Sequence, residues 1–242
     1  MPGSAQKGKT EKVAIVIPCY NEASIIGSVL NNIQKNKTAK HYDVIVVNDG
    51  STDDSARVLS AHRDIRVINH VVNMGAGAAT RTGLVTAKNS GYDYAITLDA
   101  DGQHTIEDAL NVLRTAQKTG DDLTIGSRLD DRKGMPKVKV FGNKLLNLVS
   151  YLIVGVMVSD SQSGLRVLNK KCLNTLTFYT NGYGFCSEMI WHAKKQGLTI
   201  GESPIGAIYT DYSKGKGQKN VGGFVAIVGS LVKQRMKGFL NE

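Results

Sequence analysis

Asp99-Ala100-Asp101 is the stretch whose residue types most directly imply chemistry. Two carboxylates one residue apart, directly after the apolar run Tyr94 to Leu98, can both turn toward one hard cation. Mg2+ or Mn2+ held this way keeps coordination positions open for the oxygens of a diphosphate. An isolated Asp-x-Asp is as readily a turn before a helix; the strand end in front of it and Gln103-His104 behind it favour the cation. Two more polar clusters follow β-branched runs: Pro18-Cys19-Tyr20-Asn21-Glu22 and Asn48-Asp49-Gly50-Ser51. Between them they hold an aromatic face of the kind that meets a base and carboxylates that accept from base N–H and ribose hydroxyls. Singly, Asp49-Gly50 is an ordinary turn and Asn21 an ordinary helix cap, so the argument rests on their convergence.

Convergence requires particular elements. Val13 to Ile17 predicts a strand, and Ile25, Ile26, Val29, Leu30 and Ile33 predict a helix within 22–35. The alternation continues with strand 43–47, helix 55–61, strand 65–68, helix 77–89 closed by Gly91, strand 94–98, helix 105–118 capped by Thr105, and strand 123–126. Ser51 and Asp54 have the spacing of an acidic capping box. Strand and helix in alternation predict an α/β fold, a mostly parallel sheet covered on both faces, with ligands at the carboxyl ends of its strands. Beyond Arg128 the pattern becomes irregular: a basic loop, a helix over 137–156, a short strand near 165–168, a helix over 187–195 and a strand-like segment 198–209. One domain over 12–220 is expected, after a disordered polar leader 1–11 and before an amphipathic helix 221–242.

Composition sets bounds. With 242 residues, 41% hydrophobic and 21% charged, the chain is neither disordered nor fibrous. The net charge of +9 implies an anionic partner, and its excess is bunched in 128–144 and 209–242. Few aromatics interleave with those basic clusters, which argues against nucleic acid. Three widely spaced cysteines exclude a disulfide framework and suit a reducing compartment. The longest charge-free stretches, 145–159 and 220–232, are shorter than the roughly 20 residues a membrane-spanning helix needs. Gly75-Ala76-Gly77 lacks the third glycine and the first-strand position of a dinucleotide fingerprint, and no Walker A or zinc-ligand spacing occurs.

Val13–Glu22, Val46–Asp53, Asn73–Gly83, Leu98–His104, Gly126–Arg128, Asp160–Arg166 and Gly182–Glu188 together resemble glycosyltransferase family 2, most of all the dolichyl- and polyprenyl-phosphate sugar transferases. The resemblance runs from about residue 12 to about 220. It implies a GT-A fold, a UDP- or GDP-linked sugar donor, inversion at the anomeric carbon, and Mg2+ or Mn2+ at Asp101 with Asp99. It further implies donor contacts from Pro18, Tyr20, Glu22, Asp49, Asp99, Ala100 and Gln103. Some relatives act with a small membrane-spanning partner protein, and many continue into transmembrane helices. Three departures stand out: Ala76 where Lys or Arg is frequent, Thr105 where Pro is frequent, and no Arg before the Ser213-Lys214 loop, where Lys214 and Lys216 carry the charge.

The acceptor divides two readings. A phosphate monoester, with a second pKa near 6, is already an anionic nucleophile and needs cations to place it. Arg128, Arg166, Lys139 and Lys144 are the candidates. A sugar hydroxyl needs a base instead, for which Asp160 and Glu188 are the candidates. The wide apolar surface of the 137–156 helix and the basic, apolar tail favour a polyprenyl phosphate acceptor and a site peripheral to the cytoplasmic face of a membrane. Transfer to a glycan hydroxyl is the alternative, and a non-catalytic nucleotide-sugar-binding subunit is the alternative outside enzymes.

Overall fold

The computed structural model describes residues 11–128, 158–182 and 184–206. The expected leader, the 137–156 helix, the 213–219 loop, the terminal helix and residues Lys139 and Lys144 lie outside the described residues. In chain order the described elements are β1 (Val13–Cys19), α1 (Ile26–Lys35), a 3-10 turn (Ala39–His41), β2 (Asp43–Asn48), α2 (Ser55–Ser60), β3 (Ile65–Asn69), α3 (Ala76–Asn89) and β4 (Tyr94–Thr97). They continue as α4 (Ile106–Thr119), β5 (Leu123–Ser127), β6 (Arg166–Asn169), α5 (Lys170–Thr175), α6 (Phe185–Lys195) and β7 (Ile200–Pro204).

The strands form one sheet in the order β3-β2-β1-β4-β6-β5-β7. All neighbours are parallel except β6, which runs antiparallel to both β4 and β5. The chain builds outward from β1 to β3 and then returns to place β4 on the other side of β1, so the order reverses between β1 and β4. In an open α/β sheet that reversal opens a crevice at the carboxyl ends. Because β6 is antiparallel, its beginning, not its end, reaches the same edge, and it carries the 160–165 segment there.

The continuous apolar run of β1 reflects burial on both faces. Val13, Ile15, Ile17 and Cys19 face a core closed by α1, α2 and α4. Ala14 and Val16 face a second core closed by α3, α5 and α6. The Thr105 cap is present, its Oγ1 accepting from Asp108 N at 2.9 Å, and Gly120 ends α4 in the left-handed region at φ 75°. The expected Ser51–Asp54 capping box does not form: α2 has no side-chain cap, because the Ser51 hydroxyl accepts from Asn21 N instead. Helix α5 was not legible in the sequence; Asn169 caps it through Cys172 N, but six residues carry too little periodicity to be read.

Gly83 shows how tightly α3 lies on the sheet, since a Cβ there would collide with Val16 Cγ1. Alanine would gain up to about 1 kcal/mol in helix propensity, whereas overpacking a buried β-branched contact costs about 1–3 kcal/mol. Gly83→Ala is therefore expected to lower stability, read as a lower denaturant midpoint at unchanged m-value.

Candidate active site

The first two loops are clasped together at the crevice. Asn21 sits in the left-handed region at φ 54°, a conformation Asn tolerates better than most residues. Its Oδ1 accepts from Thr52 N (2.8 Å) and Asp53 N (3.3 Å), while its own N donates to Ser51 Oγ (3.0 Å). Glu22 N donates to Ser55 Oγ and Ala23 N to Asp53 Oδ2. Asn21, read from sequence as a helix cap, is thus the pin between two loops. Tyr20 stands 41% exposed beside it, Glu22 is buried and Pro18 is half-buried.

Asp99 and Asp101 follow β4 at the reversal point. Thr97 Oγ1 donates to Gly164 O at 2.6 Å, tying the end of β4 to the 160–165 segment. A Cβ on Gly164 would run into the Asp99 carboxylate, so the glycine makes the room that this carboxylate occupies. Asp101 accepts from Gln103 N (3.0 Å) and Gln103 Nε2 (2.7 Å), which puts the Gln103 amide on the carboxylate. Ala100, between the two, is buried. Burial pushes the Asp101 carboxyl up, and the charge of Asp99, with Glu22 further off, pushes it the same way. Burial also opposes ionisation of Asp99, but the His104 ring, Arg128 and Arg166 outweigh it, so that carboxyl titrates below the ordinary range. His104 Nε2 lies 3.6 Å from Asp99 Oδ2, and neither ring nitrogen of this buried histidine has a hydrogen-bond partner. One carboxylate is thus steadied as an anion while its neighbour resists ionising beside it.

Four residues expected to act on substrate have other partners. Asp160 is buried and takes Arg128 in a forked pair, Nε to Oδ2 at 2.6 Å and Nη2 to Oδ1 at 3.0 Å. Arg166 is 0% exposed, and its guanidinium donates to the carbonyls of Ser163, Cys186 and Ser161. It therefore does not reach an acceptor phosphate; its charge acts on Asp99 through the wall of the site. Glu188 accepts from Tyr179 N (3.0 Å) and Thr180 N (2.7 Å) and lies 3.5 Å from His192 Nε2. Burial would raise its carboxyl, yet His192 and these amides hold it down at about 2. Asp49, also buried, accepts from Met74 N, Gly75 N and His70.

The start of α3 explains its glycines. Gly75 has φ 97°, and a Cβ on Gly77 would strike Thr180 O. Gly77 N and Ala78 N donate to Asn181 O at 2.7 and 3.3 Å. The helix terminus that would cradle a pyrophosphate in a dinucleotide fold is filled by a carbonyl of its own chain.

The model of glycosyl transferase family 2 matches residues 14–161. This chain belongs to that family. The glycosyltransferase is 36% identical over 234 residues to UDP-N-acetylglucosamine--dolichyl-phosphate N-acetylglucosaminyltransferase of Methanococcus voltae, covering 88% of this chain and 92% of that one. It is 27% identical over 225 residues to polyprenol monophosphomannose synthase of Mycolicibacterium smegmatis, covering 85% and 84%. Its fold resembles that of glucosyl-3-phosphoglycerate synthase from Mycobacterium tuberculosis, solved with Mn2+ and UDP, at TM-score 0.70 and 20% identity over 93% of this chain and 80% of that one. The fold is thus the GT-A type expected from the sequence. No helix among the described residues is long and apolar enough to cross a membrane.

Two carboxyls are held well below their ordinary values. Glu188 is lowered from 4.5 to about 2, and Asp122, facing Lys171, Thr199 N and Asn169, is lowered from 3.8 to about 2 against the opposing effect of burial. Each contributes stability that is complete above its unfolded-state value and lost as pH falls toward about 2. Melting temperature is therefore expected to drop between pH 5 and pH 2. Glu188→Gln should begin less stable at pH 7 and lose less on acidification.

Proposed function

We propose that this glycosyltransferase moves a hexose or N-acetylhexosamine from a UDP- or GDP-linked donor to a polyprenyl phosphate, by a single displacement that inverts the anomeric carbon. The observation that carries the acceptor is the occupancy of both candidate bases: Asp160 is forked by Arg128, and Glu188 is held down at about 2 by two amides and His192. A hydroxyl acceptor would need one of them free. A phosphate monoester brings its own anionic oxygen, which forms the new bond to the anomeric carbon as the nucleotide diphosphate leaves with the electron pair of the old one. The names of the two relatives, one a dolichyl-phosphate and one a polyprenol transferase, point the same way.

The geometry supports the following roles. Asp99 and Asp101 would hold Mg2+ or Mn2+. Among the described residues no group of three or more His, Cys, Asp or Glu forms a cage for a metal. A pair of hard oxygen donors fits an ion that shares its coordination with substrate phosphates. When bound, that ion supplies positive charge to offset what gathers on the departing diphosphate. Gln103 fixes the Asp101 carboxylate, and Gly164 leaves space for that of Asp99. Tyr20, Glu22 and Asp49 line the nucleoside side, with Pro18 and Ala100 shaping the wall. Arg128, oriented by Asp160, meets the acceptor phosphate, while Arg166 supports it only by its field. Lys139 and Lys144 are proposed as further cations for the acceptor phosphate. The enzyme then works peripherally at the cytoplasmic face of a membrane, its net positive charge attracted to anionic lipid and a small membrane-spanning partner protein a further means of anchorage.

Asp101→Asn is expected to cut kcat by at least about a hundredfold. Because it removes one of two repelling charges, the metal-free variant should melt at the same temperature as the native chain or above it. Full turnover of this variant, or of native enzyme in excess chelator, would refute the metal assignment.

Short-chain polyprenyl phosphate should be glycosylated, and water-soluble sugar acceptors should not. Its kcat/KM should rise through about pH 6, as the acceptor becomes a dianion, and then level off. Efficient transfer to a sugar hydroxyl would instead assign a base among the carboxylates.

A further inference from the structure

His70 follows β3 and belongs to none of the motifs above, yet it is held at three points. Its Nδ1 lies 2.6 Å from Asp49 Oδ1, its Nε2 lies 3.0 Å from Thr82 Oγ1 on α3, and its backbone N donates to Asn48 O at 2.9 Å. An ionised carboxylate only accepts, so Nδ1 carries the hydrogen, and in the neutral ring Nε2 accepts from the Thr82 hydroxyl. The ring is therefore held in place from the end of β2 to α3, with Nδ1 on Asp49 and Nε2 on Thr82.

Asp49 is the group this arrangement fixes. Its Oδ1 takes Met74 N (3.0 Å) beside His70, and its Oδ2 takes Gly75 N (2.7 Å). The neighbouring Gly50 has φ 66°, and a Cβ there would strike the backbone of Val72 and Asn73, so the second and third loops lie against each other. One buried carboxylate thus gathers the 70–75 segment. A carboxylate has about four acceptor positions, and three are filled here, so one acceptor position remains.

We infer that His70 is a positioning residue for donor binding: acting through Asp49, and itself anchored on Thr82, it aims the remaining acceptor capacity of that carboxylate at the nucleoside. This rests on the reading that Asp49 lines the nucleoside side of the crevice. Losing the ring leaves Asp49 with two amide donors and the freedom to turn away, a loss paid in binding and not in the chemical step.

The test uses the full chain with UDP and GDP in the presence of Mn2+, by calorimetry and by steady-state kinetics with the matching donor. His70→Ala should raise nucleotide Kd and donor KM about tenfold with kcat within about twofold. His70→Asn, whose amide can donate to Asp49 as Nδ1 does, should recover most of that loss, and Thr82→Val should show a smaller rise of the same kind. In the native chain, nitrogen NMR should show His70 protonated at Nδ1. A fall in kcat at unchanged KM, an absence of rescue by Asn, or a ring protonated only at Nε2 would overturn the inference. Should His70→Ala fail to fold, the Thr82→Val kinetics and the NMR signature still decide it. A native chain that binds no nucleotide would overturn the donor reading itself, whereas nucleotide binding unmoved by His70→Ala overturns this inference alone.

Discussion

Two carboxylates one residue apart repel each other, and much of the surrounding architecture bears on keeping Asp99 and Asp101 together. Partly withdrawn from solvent, the pair is costly: the Asp101 carboxyl is driven up by desolvation and by its neighbour, while His104, Arg128 and Arg166 hold the Asp99 carboxyl down. Those groups arrive from distant parts of the chain. Arg128 follows β5, Arg166 opens β6, and His104 lies just past the carboxylates themselves. One carboxyl of the pair is thus stabilised as an anion while ionisation of the other beside it is disfavoured, an electrostatic balance that suits the divalent cation proposed above.

The same logic governs the other charges in this wall. Arg166 is a buried cation satisfied by three carbonyls, a long-range source of field set in the wall. Asp160 orients Arg128, and Glu188 stitches the 179–180 backbone to α6. Each carries a full charge inside the protein, and each is matched by partners as burial demands.

Glycines mark where backbones must approach. Gly77 lets the start of α3 meet the 180–181 backbone, Gly83 lets α3 lie on Val16, and Gly164 lets Asp99 fit beneath the 160–165 segment. The Gly75-Ala76-Gly77 stretch suggests a phosphate cradle by composition alone. In the folded chain it is a close-packing device, with Asn181 O in the position an anion would take.

Residues 13 to 127 were largely legible because β1 and β2 are β-branched runs buried on both faces and α1 and α4 carry apolar stripes of their own. Those are local patterns, and they suffice to place Asp99, Asp101, Tyr20, Glu22 and Asp49 at strand ends. What a side chain donates to depends on residues far away in sequence. Asn21 is identical as a helix cap and as a clasp on the second loop until Thr52 is brought beside it; Arg166 reads as a free cation until Ser161 and Cys186 close around it. The sequence by itself determined the alternating fold, the crevice and the paired carboxylates, because periodicity and strand-end position are encoded within a few residues. The tertiary structure alone decided the antiparallel β6, the burial of Arg166 and the occupancy of Asp160 and Glu188, because hydrogen-bond partners separated by tens of residues meet only when the sheet has closed.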